Sequence, residues 1–138
     1  MIKKCENLIE EYLDIIDIFN QVTLDDYGDK KKVRKNNKLA KRLREIPQII
    51  EQEQPELKAD FKQLLLHENQ RVRGWVAHHI LEVMEYEEKT RRLALKEIHD
   101  IAERDEDRIE RLGNSMWLKD WYKKHPEDLK LLQMQKLC

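Results

Sequence analysis

The sequence predicts an all-α fold of about six to seven helices, and three observations support this class. Only three glycines and three prolines occur in 138 residues, which leaves few positions where a helix is forced to end. Leu, Ile, Glu, Lys, Arg and Gln dominate, and all of these except Ile rank among the stronger helix formers. Val and Thr are scarce, and neither Asn-Gly nor Asp-Gly occurs, so β-hairpins are not expected.

Length and composition limit the classes of function. A chain of 138 residues is long enough for one domain, residues 1–138, with a core of its own. The charged fraction is 40%, but the net charge is −1, so overall charge does not predict nucleic-acid binding. No apolar run has membrane-spanning length and no secretory signal is visible, which predicts a cytoplasmic protein without a membrane partner. A disulfide between Cys5 and Cys138 is not expected in that compartment.

The first helix is predicted over residues 2–21. Its apolar side chains follow the 3.6-residue period of a helix with one buried face. These residues are Cys5, Leu8, Ile9, Tyr12, Ile15, Ile16 and Phe19. A turn is predicted at residues 25–29, with Gly28 as the residue that interrupts the helix.

The second helix is predicted over residues 30–50, with Pro47 either kinking or restarting it. Its apolar stripe consists of Leu39, Leu43, Ile46 and Ile50. Residues 30–44 contain nine positive charges and no negative charge, whereas residues 1–29 contain eight acids and two lysines. This opposite charge favours an antiparallel pairing of the first two helices.

The third and fourth helices are predicted as a hairpin. Pro55 suits the first turn of the third helix, and Asn69 is a suitable N-cap for the fourth, which should run to about Met84. The core side chains of the third helix are Leu57, Phe61, Leu64 and Leu65, and those of the fourth are Val72, Val76, Ile80 and Val83, with His79 at the edge. The residues of the fourth helix predicted to face away from this core are Arg71, Gly74, Trp75, His78, Glu82 and Glu85.

The C-terminal third is predicted to contain three more helices. A fifth runs over residues 89–104, and the acidic residues 105–107 either extend it or end it. The residues of this helix predicted to face inward are Ala94, Leu95, Ile98, Ile101 and Ala102. Gly113-Asn114 predicts a helix stop, and Ser115 is expected to cap a sixth helix. Pro126 begins a last short helix.

Residues 55–84 resemble a HEAT-type helical repeat. The resemblance rests on Leu64-Leu65-Leu66, a short polar turn, then Val72-Arg73, Val76-Ala77 and Ile80-Leu81. Together with Asn36-Asn37-Lys38-Leu39, these segments make roughly residues 5–104 similar to a family of small bacterial HEAT-like proteins. Several relatives of that family resemble immunity proteins encoded beside secreted toxins. The resemblance implies stacked antiparallel helical hairpins, and a non-enzymatic protein that binds and neutralises a cognate bacterial toxin.

The predicted binding surface centres on Trp75. An aromatic residue beside an arginine, with a glycine opening space next to it, is typical of an interface anchor. The predicted contacts to a partner protein are Arg71, Trp75, His78, Glu82 and Glu85, with Asp105, Glu106 and Asp107 as a secondary acidic patch. Acidic contacts would speed association with a basic toxin surface. The alternative is that helix one or helix six covers this side, which would make Trp75 a core residue.

Two other functions remain open from the sequence. The basic helix could bind nucleic-acid phosphates through Arg34, Lys38, Lys41 and Arg42, which share one side. His99-Asp100 resembles the dipeptide of metal-dependent helical phosphohydrolases, for which His78 and Asp120 would supply the missing ligands. Ser115 is the only serine and lacks the strand–turn–helix context of a nucleophile. His78 and Glu82 have the i,i+4 spacing of metal ligands, but two ligands do not make a metal site. We therefore predict neither an enzyme nor a cofactor.

Overall fold

The computed structural model describes residues 7–22 and 24–136, and within these ranges the chain forms seven α-helices and no strand. The helices are α1 (Leu8–Asn20), α2 (Lys30–Glu53), α3 (Lys58–Gln63), α4 (Gln70–Glu82), α5 (Glu88–Arg104), α6 (Arg108–Lys124) and α7 (Pro126–Lys136). Short 3-10 helices cover Leu24–Gly28, Pro55–Leu57 and Leu64–Leu66. The predicted all-α class with six to seven helices is confirmed.

The helices group into two compact units, with the boundary between Leu64 and Leu65. The first unit contains α1, α2 and α3, and the second contains α4 to α7. The boundary falls inside the segment that resembles a HEAT repeat, and α3 is only six residues long. The single domain and the HEAT-type arrangement both stay predictions.

The first unit is built on α1 and α2, which pack as an antiparallel pair. Glu11 near the start of α1 bonds Arg42 in the second half of α2, while Ile18 near the end of α1 lies beside Lys35 in the first half. The predicted apolar faces meet in the core: Tyr12, Ile15, Ile16, Leu43, Ile46, Ile50 and Phe61 are buried. Pro47 is buried within α2 and does not restart it, since α2 is continuous over 24 residues.

The second unit places α5 at its centre. This helix packs against α4, α6 and α7. Of its predicted inward residues, Ala94, Leu95, Ile98 and Ile101 are buried and Ala102 is partly buried. Asn69 caps α4 as predicted, because its side chain accepts hydrogen bonds from the N–H groups of Arg71 and Val72. Arg73 links α4 to α5 and to the turn that precedes α4. Its side chain donates hydrogen bonds to Glu97 on α5 and to the carbonyls of His67 and Glu68 in that turn. Burial raises the pKa of Glu97, and this effect outweighs the opposite effect of Arg73.

Two predictions for α6 are wrong. Gly113-Asn114 does not stop a helix and Ser115 does not cap one, because α6 runs without a break from Arg108 to Lys124. The cap is Asp107, whose side chain accepts a hydrogen bond from the Ile109 N–H. A glycine inside a helix costs roughly 1 kcal/mol relative to alanine, which the packing of a 17-residue helix can offset. The acidic segment before it ends α5 instead of extending it.

Candidate functional site

An open cleft in the second unit coincides with the side of α4 that the sequence predicts as a binding surface. Its volume is about 280 Å³. Residues of α4, α5 and α6 line it: Arg71, Gly74, Trp75, His78, Ile101, Glu110 and Asn114. Trp75 is partly buried and lines the cleft, so α6 stands beside this side of α4 without sealing it.

Gly74 forms the close approach between α4 and α5 at the floor of the cleft. A Cβ atom placed on Gly74 would lie 3.0 Å from Cδ1 of the buried Ile101. A methyl group here must therefore displace the end of the Ile101 side chain, and a larger side chain must push the two helices apart or fill the space beside Trp75. The sequence predicts that Gly74 faces away from the core. Gly74 borders the cleft, but it is buried and does not face solvent.

One end of the cleft contains an arginine shared by two carboxylates. Arg71 donates a short hydrogen bond to Asp105, and its other terminal nitrogen lies 3.1 Å from Oε2 of Glu110. The Asp105 side chain is only 1% exposed, whereas that of Glu110 is 41% exposed. The remaining Asp105 oxygen accepts a hydrogen bond from the Asp107 N–H at 2.8 Å. Asp105 therefore positions Arg71 from the buried side of the cleft, and both oxygens of its carboxylate already accept hydrogen bonds within the fold.

The other end of the cleft contains a chain of polar contacts between α4 and α6. Asn114 Nδ2 donates to the Glu110 carbonyl at 2.8 Å, which leaves its Oδ1 to accept from His78 Nε2 at 2.7 Å. The second ring nitrogen of His78 lies 3.5 Å from Glu82 Oε2, and the same oxygen accepts a 2.7 Å hydrogen bond from the Trp117 indole. His78 and Glu82 thus hold α6 against α4, in addition to bordering the cleft.

Stacked aromatic rings support α6 along one side. The Trp117 and Trp121 rings lie 4.8 Å apart and nearly parallel, and His125 stacks on Trp121 at 3.9 Å. The Trp121 indole also donates to the buried carboxylate of Asp128, which pairs with Arg91 on α5. The ring stack lies along α6 itself, and the contacts of Asp128 with Trp121 and Arg91 join α6 to α7 and α5.

A row of exposed apolar side chains runs along the outer side of α6. Ile109, Leu112 and Met116 are 78%, 59% and 63% exposed. Their spacing of three and four residues aligns them on one face, and the exposed Gly113 lies between this face and the cleft side of the same helix. Sequence reasoning missed the row because a helix stop at Gly113-Asn114 divides it. Extending one helical period from 108 to 124 would have revealed it.

The other predicted partner contacts lie outside the lining of the cleft. Glu85 follows α4, and Glu106 and Asp107 precede α6, and all three are exposed. The Asp107 side chain caps α6. The structure therefore brings together Arg71, Trp75 and His78 at the cleft, with Glu82 bonded to its edge.

A second cleft of about 410 Å³ lies along α5. Leu65, Leu66 and Leu93 form its apolar part, and Leu66 is 77% exposed. Its charged rim carries both signs, including the Arg104–Asp100 pair at 2.9 Å. Leu66 is thus as exposed as Ile109 of the α6 row, but it lies on a different surface of the second unit.

The predicted phosphate-binding residues of α2 are only partly available. Arg34, Lys38 and Lys41 are exposed. Arg42 instead donates two hydrogen bonds to the Glu11 carboxylate, at 2.7 and 2.9 Å. This contact lowers the pKa of Glu11, against a smaller opposite effect of burial. This bidentate pair is one contact through which the expected electrostatic attraction between the first two helices acts.

The residues of the hydrolase hypothesis are engaged in separate contacts. His99 bonds the Tyr122 hydroxyl at 2.8 Å, Asp100 pairs with Arg104, and Asp120 pairs with Lys124. Burial raises the pKa of Tyr122 to about 12, so this hydroxyl keeps its proton. Within residues 7–22 and 24–136, no group of three or more His, Cys, Asp or Glu side chains is placed to hold a metal ion.

None of the helices in the described part of the chain is both long enough and apolar enough to span a bilayer. No protein family, no curated protein and no solved structure matches this chain.

Proposed function

We propose that this protein is a non-enzymatic protein-binding module whose partner docks on the second unit, across the cleft beside Trp75 and the outer side of α6. The observation that carries the proposal is the exposed row of Ile109, Leu112 and Met116. Large apolar side chains that share one exposed helix face are costly to leave in water and typically mark an interaction surface.

The cleft supplies what such a surface needs at its centre. Binding energy in protein interfaces concentrates on a few aromatic and arginine residues beside partly desolvated pockets. Trp75 and Arg71 provide these residue types at the cleft, and the apolar row borders it across Gly113. Because polar contacts hold α6 against α4 and α7, little ordering of this wall should be required on binding.

The concrete form of the proposal is a cytoplasmic bacterial immunity protein that masks a cognate toxin. This form rests on the resemblance of residues 55–84 and their surroundings to HEAT-like proteins with toxin-immunity relatives. Glu110 at the cleft and Glu106 nearby on the chain give the surface acidic groups, which suit a basic partner such as a nuclease.

The first experiment is capture from the native host. A tagged chain and its Met116→Gln variant are used as parallel baits, and bound proteins are quantified by mass spectrometry. We expect one protein to be captured by the wild type and depleted with the variant. Expressed alone, the captured protein should arrest growth, and co-expression of this chain should restore growth. A captured protein that leaves growth unaffected contradicts the immunity function, and recovery of no protein contradicts the binding function.

Nucleic-acid binding is the second candidate, favoured by the exposure of Arg34, Lys38 and Lys41 on α2. A charge-driven complex should weaken steeply with salt, with a slope that reports the number of phosphates contacted. Fluorescence anisotropy with a labelled duplex at increasing salt tests this function. Absence of binding at low salt removes the candidate, as does an affinity unchanged in the Lys38→Gln variant.

A further inference from the structure

One end of the cleft presents an exposed carboxylate beside an arginine. Arg71 is shared by Asp105 and Glu110, and Arg111 at the same end donates to the Asp105 and Glu106 carbonyls. Asp105 is buried and its oxygens are satisfied by Arg71 and by the Asp107 N–H. Glu110 is the more exposed of the two carboxylates and can accept further hydrogen bonds.

The cleft is large enough to receive one long side chain. At about 280 Å³ it lies just below the range of roughly 300–1,000 Å³ that is typical of small-molecule sites. Its walls combine the apolar Ile101 with the indole of Trp75, and the carboxylate stands at the rim. A long side chain with an apolar stem and a positively charged end matches both surfaces.

Arginine matches this arrangement better than lysine. A guanidinium is planar and weakly hydrated, stacks on an indole face, and donates two parallel hydrogen bonds to one carboxylate. Asn114 and His78 are bonded to each other, so Glu110 is the acceptor that remains for the incoming group. We propose that the cleft receives a single arginine side chain of the partner protein, held between the Trp75 ring and the Glu110 carboxylate. This inference rests on the proposed protein-binding function and names the group that the cleft recognises.

The test uses the intact chain and a defined probe, Nα-acetyl-arginine amide, followed by ¹⁵N NMR. The probe is titrated to about 50 mM at low salt, because one side chain alone binds weakly. We expect saturable shifts of the Trp75 indole N–H and the Gly74 amide. The neutral isostere Nα-acetyl-citrulline amide should cause none. Glu110→Gln should weaken binding by at least about fivefold, and the matched control Glu88→Gln, which removes an exposed carboxylate of α5 outside the cleft, should leave it unchanged.

The outcomes separate this inference from the function on which it rests. No saturable shift, equal shifts with citrulline, or equal affinity in Glu110→Gln each overturns the arginine site, even where a protein partner is captured. Probe binding that is lost in Glu110→Gln, with no protein captured from the host, leaves the guanidinium site in place and removes the protein-binding function. Both variants replace exposed carboxylates, and unchanged thermal unfolding verifies that they fold.

Discussion

The helices α4 and α6 form two walls of the same cleft, and each contains a glycine in its interior, but the two glycines have different roles. Gly74 in α4 is buried against Ile101, where a Cβ would meet another side chain at 3.0 Å. Gly113 in α6 is exposed, and a Cβ there would meet nothing within 4 Å. A side chain at the first position must displace Ile101, whereas one at the second meets no neighbour. The comparison shows that the core constrains α4 at Gly74, whereas the fold places no such constraint on α6 at Gly113.

The largest effect expected from this comparison is on packing at Gly74. Gly74→Val inserts three carbon atoms at the α4–α5 contact, and we expect it to destabilise the protein by about 3 kcal/mol. The matched variant Gly113→Val should change stability by less than about 0.5 kcal/mol, because the added atoms enter solvent. Urea unfolding of both variants measures the difference. Equal losses in the two would show that the close approach of α4 and α5 is not the constraint on Gly74.

Removing the buried carboxylate that positions Arg71 should have the next largest effect. Asp105→Asn weakens the bond to Arg71 and leaves its buried position without a negative charge. A fully buried pair loses roughly 3–5 kcal/mol in this way, but Arg71 is partly exposed and keeps Glu110, so we expect about 2 kcal/mol. Chemical denaturation provides the value. A neutral result would mean that Asp105 does not hold the arginine in place.

The helices α1, α4, α5 and α6 show which features of the fold can be predicted from the sequence and which cannot. The apolar period of α1, the cap at Asn69 and the inner face of α5 follow from local rules that the fold obeys. Gly113-Asn114 has the local signature of a helix end, yet α6 continues because Asn114 is buried and bonded to His78 across the cleft. That contact joins residues 36 positions apart, so no local pattern contains it.

The candidate site was predictable in part for the same reason. Spacing along one helix places Arg71, Trp75 and His78 on one side of α4, and all three line the cleft. The second wall depends on packing between helices, so neither Glu110 as an exposed second acceptor for Arg71 nor the burial of Asp105 follows from spacing. Likewise Arg42 shares a face with Arg34 and Lys38 in the sequence, but its pairing with Glu11 is a contact between helices.

Alanine substitutions compare the two glycines in the opposite direction, because the one on α6 is expected to stabilise the protein. Gly113→Ala should raise the free energy of unfolding by about 0.5–1 kcal/mol, because alanine is the better helix former and the added methyl group meets no neighbour. Gly74→Ala gains the same helix propensity but must displace Ile101, and it should therefore be the less stable of the two. Thermal unfolding ranks them. The reverse ranking would contradict the assignment of Gly74 to close packing.

The smallest expected effect concerns the ion pair between Glu11 and Arg42 in the first unit. Hydrogen bonding lowers the pKa of Glu11 in the folded state, so its contribution is present above the ordinary value of 4.5 and is lost as pH falls through the lowered pKa. Both side chains are about one-third exposed, so we expect Glu11→Gln to cost only about 0.5 kcal/mol at neutral pH. Urea unfolding of both proteins from pH 7 to pH 3 should show this difference shrinking. A difference that grows on acidification would reverse the sign.

The outer side of α6 is the basis of the proposed function, and one measurement addresses it directly. Ile109→Ser and Leu66→Ser each remove an apolar side chain of nearly equal exposure, 78% and 77%, one on the α6 row and one on the second cleft. Calorimetric titration with the captured partner should show a loss of at least about tenfold in affinity for Ile109→Ser, roughly 1.4 kcal/mol, and no loss for Leu66→Ser. Full affinity in Ile109→Ser, with a loss in Leu66→Ser, would contradict the account and move the binding surface to the second cleft.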